Sequence, residues 1–223
     1  MEEIQVSQNT RKSTPLRKKT LKRTHNLSKL YDGLSGYNVN TNTIKEFSTT
    51  YGELKECSLP VLYEIFNKYA PLTKIAHPFR NFYDLGAGIG KVVVGMAYAN
   101  TTLTSTGIEI VPDRVKMANE ALDRLRDASV KKRIEMICIS MLDDTLHYND
   151  ACWIYISNLT MNDSILERLF EKLEKEVKTG CIIVTSRLTK NASFQKLNVV
   201  TLPMSWSDDS KVYIYKKIDG KNN

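Results

Sequence analysis

Asn81-Phe82-Tyr83-Asp84-Leu85-Gly86-Ala87-Gly88-Ile89-Gly90 is the stretch whose reading decides the fold. A short apolar run suited to a buried strand meets three glycines at alternate positions, and residues 91–99 then read as a helix. Strand, tight turn and helix in that order open a strand–helix–strand unit. Glycines let the chain reverse sharply and let its backbone approach a ligand without Cβ clashes.

Downstream the alternation continues. Strands are expected over residues 103–110, 134–139, 152–156 and 181–185. A helix is expected over 113–127, with Val115, Ala118, Leu122 and Leu125 on one face, and another over 162–178, where Ile165, Leu166, Leu169, Phe170, Leu173 and Val177 keep helical spacing. Two late strands, 197–202 and 211–218, have no helix between them and should pair antiparallel at a sheet edge. Upstream, Ser58-Leu59-Pro60 supplies a capping Ser and a first-turn Pro for a helix that Ala70-Pro71 ends. The pattern predicts an α/β, doubly wound, mostly parallel sheet of seven strands with helices on both faces.

In such a sheet the ligand lies beyond the carboxyl ends of the strands, where the strand order reverses. The glycine turn is placed there, and Glu109 follows Gly90 by nineteen residues, at the end of the second strand. A carboxylate in that position accepts hydrogen bonds from ribose hydroxyls. A dinucleotide fingerprint needs its third glycine where this chain has Lys91. Asp84, two residues before Gly86, together with the Gly-x-Gly spacing suits S-adenosylmethionine instead, because it has no pyrophosphate to cradle and carries cationic groups that favour carboxylates.

Charge divides the chain. Of its 223 residues, 32 are Lys or Arg and 25 are Asp or Glu, a net charge of +7. Residues 1–30 contribute +6 of this and the remainder +1, so a nearly neutral globule follows a basic leader. Residues 1–43 are rich in Ser, Thr, Asn, Lys and Arg, show no sustained apolar period, and are expected to be disordered or loosely ordered alone. Arg11, Lys12, Arg17, Lys18, Lys19, Lys22 and Arg23 are the candidate nucleic-acid contacts. If about six of them met phosphates, log affinity would fall with log salt at a slope near −5. The same cluster suits nuclear import equally well. No apolar run approaches a membrane span, and the N-terminus lacks the apolar core of a secretory signal. Cys57, Cys138, Cys152 and Cys181 form no CxxC pair, so neither zinc site nor disulfide framework is expected. Three of them fall in strand-like runs and read as reduced core residues of an intracellular protein.

Phe47-Ser48, Tyr51-Gly52-Glu53, the 84–90 turn, Gly107-Ile108-Glu109, Ser157-Asn158, Ser205-Trp206, Tyr213 and Ile218-Asp219 stand in an order that resembles the Dot family, the non-SET histone lysine methyltransferases acting on the nucleosome core. The resemblance spans about residues 44–219. It implies a class I methyltransferase (Rossmann-like) core over residues 80–223 and a short helical N-terminal extension over 37–79, while charge and composition add a basic tail, expected to be disordered, over 1–36. It implies S-adenosylmethionine as cofactor and S-adenosylhomocysteine as product. Tyr51, Gly52 and Glu53 would loop over the methionine end of the cofactor, Gly86 and Gly88 would lie beneath it, and Glu109 would hold the ribose. Asp84 and Lys91 belong to the same cofactor set. Ser157 and Asn158 would stand beside the transferred methyl, and Tyr155, Trp206 and Tyr213 would line a channel for the substrate lysine.

The chain departs from the family pattern at four places. Ser157 stands where the family has the first of two asparagines, and Ser140-Met141 replace an Asp-Phe pair around the adenine. Lys91 replaces a neutral polar residue, and the helical N-terminal region is much shortened. A lysine nucleophile needs no dedicated base in a desolvated channel, and His25, His77 and His147 sit in the tail or in loops. The expected partner is a nucleosome, its histone as substrate and its DNA under the tail. No membrane and no metal are expected, and the chain should act as a monomer. The expected location is the nucleus (the host nucleus or a viral factory for a viral source), otherwise the cytoplasm. Another protein or an RNA as substrate stays open, although Ser157-Asn158-Leu159-Thr160 is not the signature of base-amine methyltransferases. A non-catalytic chromatin- or DNA-binding module with a decayed cofactor site is the alternative of a different class.

Overall fold

A computed structural model describes residues 27–37, 39–41, 44 and 50–219. In chain order the helices and strands are α1 (Leu27–Leu30), α2 (Leu59–Tyr69), β1 (Asn81–Leu85), α3 (Lys91–Ala99), β2 (Thr104–Glu109), α4 (Pro112–Asp123), α5 (Ala128–Lys131), β3 (Ile134–Cys138), β4 (Ala151–Ile156), α6 (Asp163–Glu176), β5 (Ile182–Thr185), β6 (Phe194–Leu202) and β7 (Ser210–Lys217). One seven-stranded sheet runs β3-β2-β1-β4-β5-β7-β6. The first five strands are parallel, and β7 is antiparallel to both neighbours. The expected doubly wound sheet and its antiparallel edge pair are therefore present.

The order reverses at β1, which pairs with β2 on one side and β4 on the other. Alternation along the buried β4 shows how the sheet is covered. Trp153 and Tyr155 join the cluster under α2 and α3, while Ile154 and Ile156 join the cluster under α6. The rings of Phe66 and Trp153 stack with centroids 5.2 Å apart, and the indole N–H donates to the carbonyl of Ala70 at 3.0 Å. On α6, Ile165, Leu166, Leu169, Phe170 and Leu173 are buried, and the Asn162 side chain caps the helix through the Ile165 N–H.

Four expectations need correction. The helix expected to reach residue 127 stops at Asp123, because the Asp127 carboxylate accepts from the N–H groups of Ser129 and Val130 and starts α5 instead. Ser58 does not cap α2 through its side chain; its hydroxyl donates to the Pro203 carbonyl at 2.9 Å. Cys138 is exposed, since β3 is an edge strand. Residues 27–36, assigned to the tail by composition, include Leu27 and Tyr31, both buried in the core. Arg124 holds this segment by donating to the carbonyls of Leu30 and Asp32 at 3.0 and 2.7 Å. The seven basic residues from Arg11 to Arg23 lie outside the described residues.

Candidate active site

The carboxyl ends of β1, β2 and β4 open into one cleft. Gly86, Gly88 and Gly90 all have positive φ (85°, 56° and 81°), a region costly for side chains with a Cβ. The N–H groups of Gly86 and Ala87 both donate to the Ile108 carbonyl, at 2.8 and 3.0 Å, and lock the turn against β2. Gly88 has a second requirement: a Cβ there would lie 2.5 Å from the Tyr51 ring.

Two buried carboxylates face the turn. Glu109 accepts from the N–H of Gly88 at 2.8 Å through one oxygen and from the N–H of Val111 at 2.9 Å through the other. A carboxylate has about four lone-pair sites, so each oxygen keeps acceptor capacity. Asp84 is 2% exposed, and its Oδ1 has no hydrogen-bond partner. Burial, reinforced by the negative charge of Glu109, holds the Asp84 carboxyl well above the usual range. A buried acceptor with nothing to accept from costs free energy until a donor arrives.

The segment around Tyr51, Gly52 and Glu53 closes over the turn. The Tyr51 hydroxyl donates to Glu53 at 2.6 Å, and Lys91 pairs with the other Glu53 oxygen at 2.6 Å. Leu54 forms an isolated antiparallel bridge with Met204. The N–H of Ser205 donates to the Glu53 carbonyl at 2.7 Å, and the Glu53 N–H donates to the Ser205 hydroxyl at 3.0 Å. Trp206 lies on Gly52 so closely that a Cβ on Gly52 would sit 2.3 Å from its ring. Two motifs about 150 residues apart in the chain are thus one zipped structure.

Beneath this cover is a cavity of about 320 Å³, with Glu109, Val111, Met141, Ser157 and Trp206 in its wall. Ile110 and Ile139 extend the apolar part of that wall. A constricted neck of about 30 Å³ adjoins it, between Asp84, Tyr155, Ser157 and the cover. Ser157 belongs to both spaces and stands at their junction.

The expected site residues do not all converge. Tyr51, Gly52, Glu53, Asp84, Gly86, Gly88, Lys91, Tyr155 and Ser157 meet around the neck, and Glu109, Met141 and Trp206 around the main cavity. Burial, and then the charge of Asp84, raises the Tyr155 phenol far above its ordinary range, while a hydrogen bond with the Ser157 side chain lowers it. Asn158 lines neither space. Its Oδ1 accepts from the Thr185 hydroxyl at 2.9 Å and from the Ser186 N–H at 3.0 Å, so it fastens the ends of β4 and β5 together. The Ser140 hydroxyl accepts from the Leu142 N–H at 3.1 Å and is likewise not in the cavity wall. Tyr213 packs with the α6 cluster, on the sheet face opposite Tyr155, and does not meet Trp206 in a common wall.

Sequence reasoning passed over Arg114, which is 5% exposed. Its guanidinium lies 4.5 Å from the Tyr51 ring centroid and 3.8 Å from Glu109. The available signal was its position four residues before Ala118, on the face of α4 already read as buried. Tyr31 was also missed: its buried hydroxyl has no partner, and Lys91 lies 5.6 Å from its ring centroid. Among the described residues no His, Cys, Asp and Glu side chains gather into a metal-holding group, and no helix is long and apolar enough to cross a membrane.

The family model described as histone methylation protein DOT1 matches residues 34–211. The H3 lysine-79 specific histone-lysine N-methyltransferase of Eremothecium gossypii is 27% identical over 158 residues, which cover 66% of this chain and 26% of that protein. The chain therefore spans about a quarter of the length of that relative. A methyltransferase from Geobacter sulfurreducens superposes with a TM-score of 0.51 at 13% identity, covering 94% of this chain and 93% of that one. The glycopeptide N-methyltransferase MtfA, solved with S-adenosyl-L-homocysteine, gives a TM-score of 0.53 at 9% identity, covering 72% and 90%. At such identities the solved structures attest the fold alone: a class I, Rossmann-like methyltransferase sheet.

Proposed function

Because the chain belongs to the family of the histone methylation protein DOT1, we propose that it is an S-adenosylmethionine-dependent protein lysine N-methyltransferase acting on a lysine in the core of nucleosomal histone. The observation that carries this reading is the zipped cover of Tyr51–Gly52–Glu53 and Ser205–Trp206 over the glycine turn, with a buried carboxylate beneath it, one of whose oxygens has no hydrogen-bond partner. The residues present suit the cofactor. Asp84 is an acceptor awaiting a cation, matching an α-ammonium, and Glu109 keeps lone pairs for ribose hydroxyls. Val111 and Met141 supply apolar walls for a purine, and about 320 Å³ lies within the range of small-molecule sites.

Bound there, S-adenosylmethionine supplies the methyl group and its own leaving group, and ends as S-adenosylhomocysteine. The chain's task is then to position, to desolvate and to admit a neutral amine. Freeing a lysine of its proton at pH 7 costs roughly 4–5 kcal/mol from its reference pKa. An apolar surrounding reduces that cost by disfavouring the charged form. Among the described residues neither His77 nor His147 lines the cavity or the neck, so this desolvation is the means the reading relies on. Ser157, at the junction of the two spaces, is the polar group assigned to the reacting amine, and Tyr155 holds it from below. Asn158 serves the site by fixing the loop that carries Ser157.

The basic residues from Arg11 to Arg23 are assigned to nucleosomal DNA, which phosphate contact favours without sequence preference, and the reading places the protein in the nucleus as a monomer. Incubating reconstituted nucleosomes with methyl-labelled cofactor should label histone, and Glu109→Ala should abolish the label. Labelling of RNA with none on histone would overturn the substrate assignment.

A further inference from the structure

The ring of Tyr51 packs directly against two glycines. A Cβ on Gly88 would approach it to 2.5 Å, and a Cβ on Gly36 would lie 2.3 Å from it. Tyr37 meets the ring edge-on with centroids 4.8 Å apart, and the Arg114 guanidinium caps it at 4.5 Å. Arg114 also donates through Nε to the Gly36 carbonyl at 3.1 Å. One buried cation therefore touches the cover (Tyr51), the strap that backs it (Gly36) and the carboxylate at the end of β2 (Glu109, 3.8 Å). It also contributes to the wall of the cavity. Part of this strap, including α1 and Tyr31, precedes residue 34, where the family match begins.

Burying a guanidinium is costly unless charge and hydrogen bonds compensate it. Here three compensating groups, the Tyr51 ring, the Gly36 carbonyl and the Glu109 carboxylate, belong to the candidate cofactor cleft or to the strap against it. We propose that Arg114 is a positioning residue of the cofactor site, which fixes Tyr51 over the glycine turn and keeps a cation beside Glu109. The inference rests on the cofactor reading above. Planarity matters as well as charge. A guanidinium stacks on an aromatic face while its edge donates sideways to a carbonyl, and an ammonium provides only the charge.

Titration calorimetry of the full chain with S-adenosylhomocysteine tests this. Arg114→Met should weaken binding by about thirtyfold, the scale of a lost desolvated cation–aromatic contact. Arg114→Lys should recover part of that loss. Gly36→Ala removes no charge but drives a methyl into the Tyr51 ring, and should weaken binding in the same way. A merely structural role would lower the number of sites per chain while the Kd of the folded fraction stayed unchanged, and that result would overturn the proposal. If Arg114→Met does not fold, wild-type Kd in both Arg114→Lys and Gly36→Ala would overturn it as well. Failure of the wild-type chain to bind S-adenosylhomocysteine would instead remove the cofactor reading, and this inference with it.

Discussion

Replacing Asp84 with Asn removes a carboxylate that the fold buries with one oxygen facing no donor. An unsatisfied buried polar group costs about 1–3 kcal/mol, and more when charged. A net relief of about 2 kcal/mol is a reasonable size for the neutral amide, which brings a donor of its own. For a chain of this length each kcal/mol moves Tm by roughly 2–4 °C, so Asp84→Asn should melt about 4–8 °C above wild type without cofactor. The pH dependence follows from the direction of the shift. The folded-state pKa of Asp84 is raised by burial and by Glu109. Its favourable contribution is therefore complete below the unfolded value of about 3.9 and is lost as pH rises through the folded value. The stability gap between variant and wild type should be smallest near pH 4 and widen toward neutrality. Adding S-adenosylhomocysteine should raise Tm of the wild type and leave the variant unmoved, because the carboxylate that receives the ammonium is gone. Differential scanning fluorimetry across pH, with and without ligand, reads all of this. A variant less stable than wild type at pH 7, or stabilised equally by ligand, would refute the reasoning.

Other outcomes are as specific. Ellman's reagent should titrate two thiols quickly in the native protein, the exposed Cys57 and Cys138. Cys152, pushed up to about 12 by burial, and the buried Cys181 should react only on unfolding. Trp153→Ala should cost about 3–5 kcal/mol in urea unfolding, as a large core truncation does, since it also takes the Ala70 carbonyl's indole donor. Deleting residues 1–26 while keeping the buried Leu27 should flatten the salt dependence of nucleosome binding by about 5 in log–log slope. It should leave calorimetric affinity for S-adenosylhomocysteine unchanged.

Much of the fold could be read from one chain because its signals are local. Strand patterning in residues 81–85 and 152–156, glycine chemistry at 86–90 and the apolar spacing along α6 each need only a short window. Boundaries slipped where a side chain competed with the expected element, as Asp127 does by capping α5 and ending α4 early. The candidate site was legible where acidic residues and glycines mark the cleft, at Asp84, Gly86, Gly88 and Glu109. It was illegible where the shape of the cleft depends on contacts between distant segments. Nothing local says that Gly52 must lack a Cβ to receive Trp206, or that Arg114 turns inward onto Tyr51. The Ser157-Asn158 pair shows the limit well. As adjacent polar residues they look alike, yet only Ser157 lines the cleft while Asn158 binds Thr185 and Ser186.

The central claim is most directly tested by mass spectrometry of reconstituted nucleosomes after incubation with the protein and S-adenosylmethionine. The account predicts a 14 Da increment, the mass of one added methylene (about 14 by the stoichiometry of a methyl replacing a hydrogen), on a lysine in a histone core, and none with Asp84→Asn. A protein that binds S-adenosylhomocysteine yet leaves every histone lysine unmodified, while methylating RNA or another protein, would contradict it.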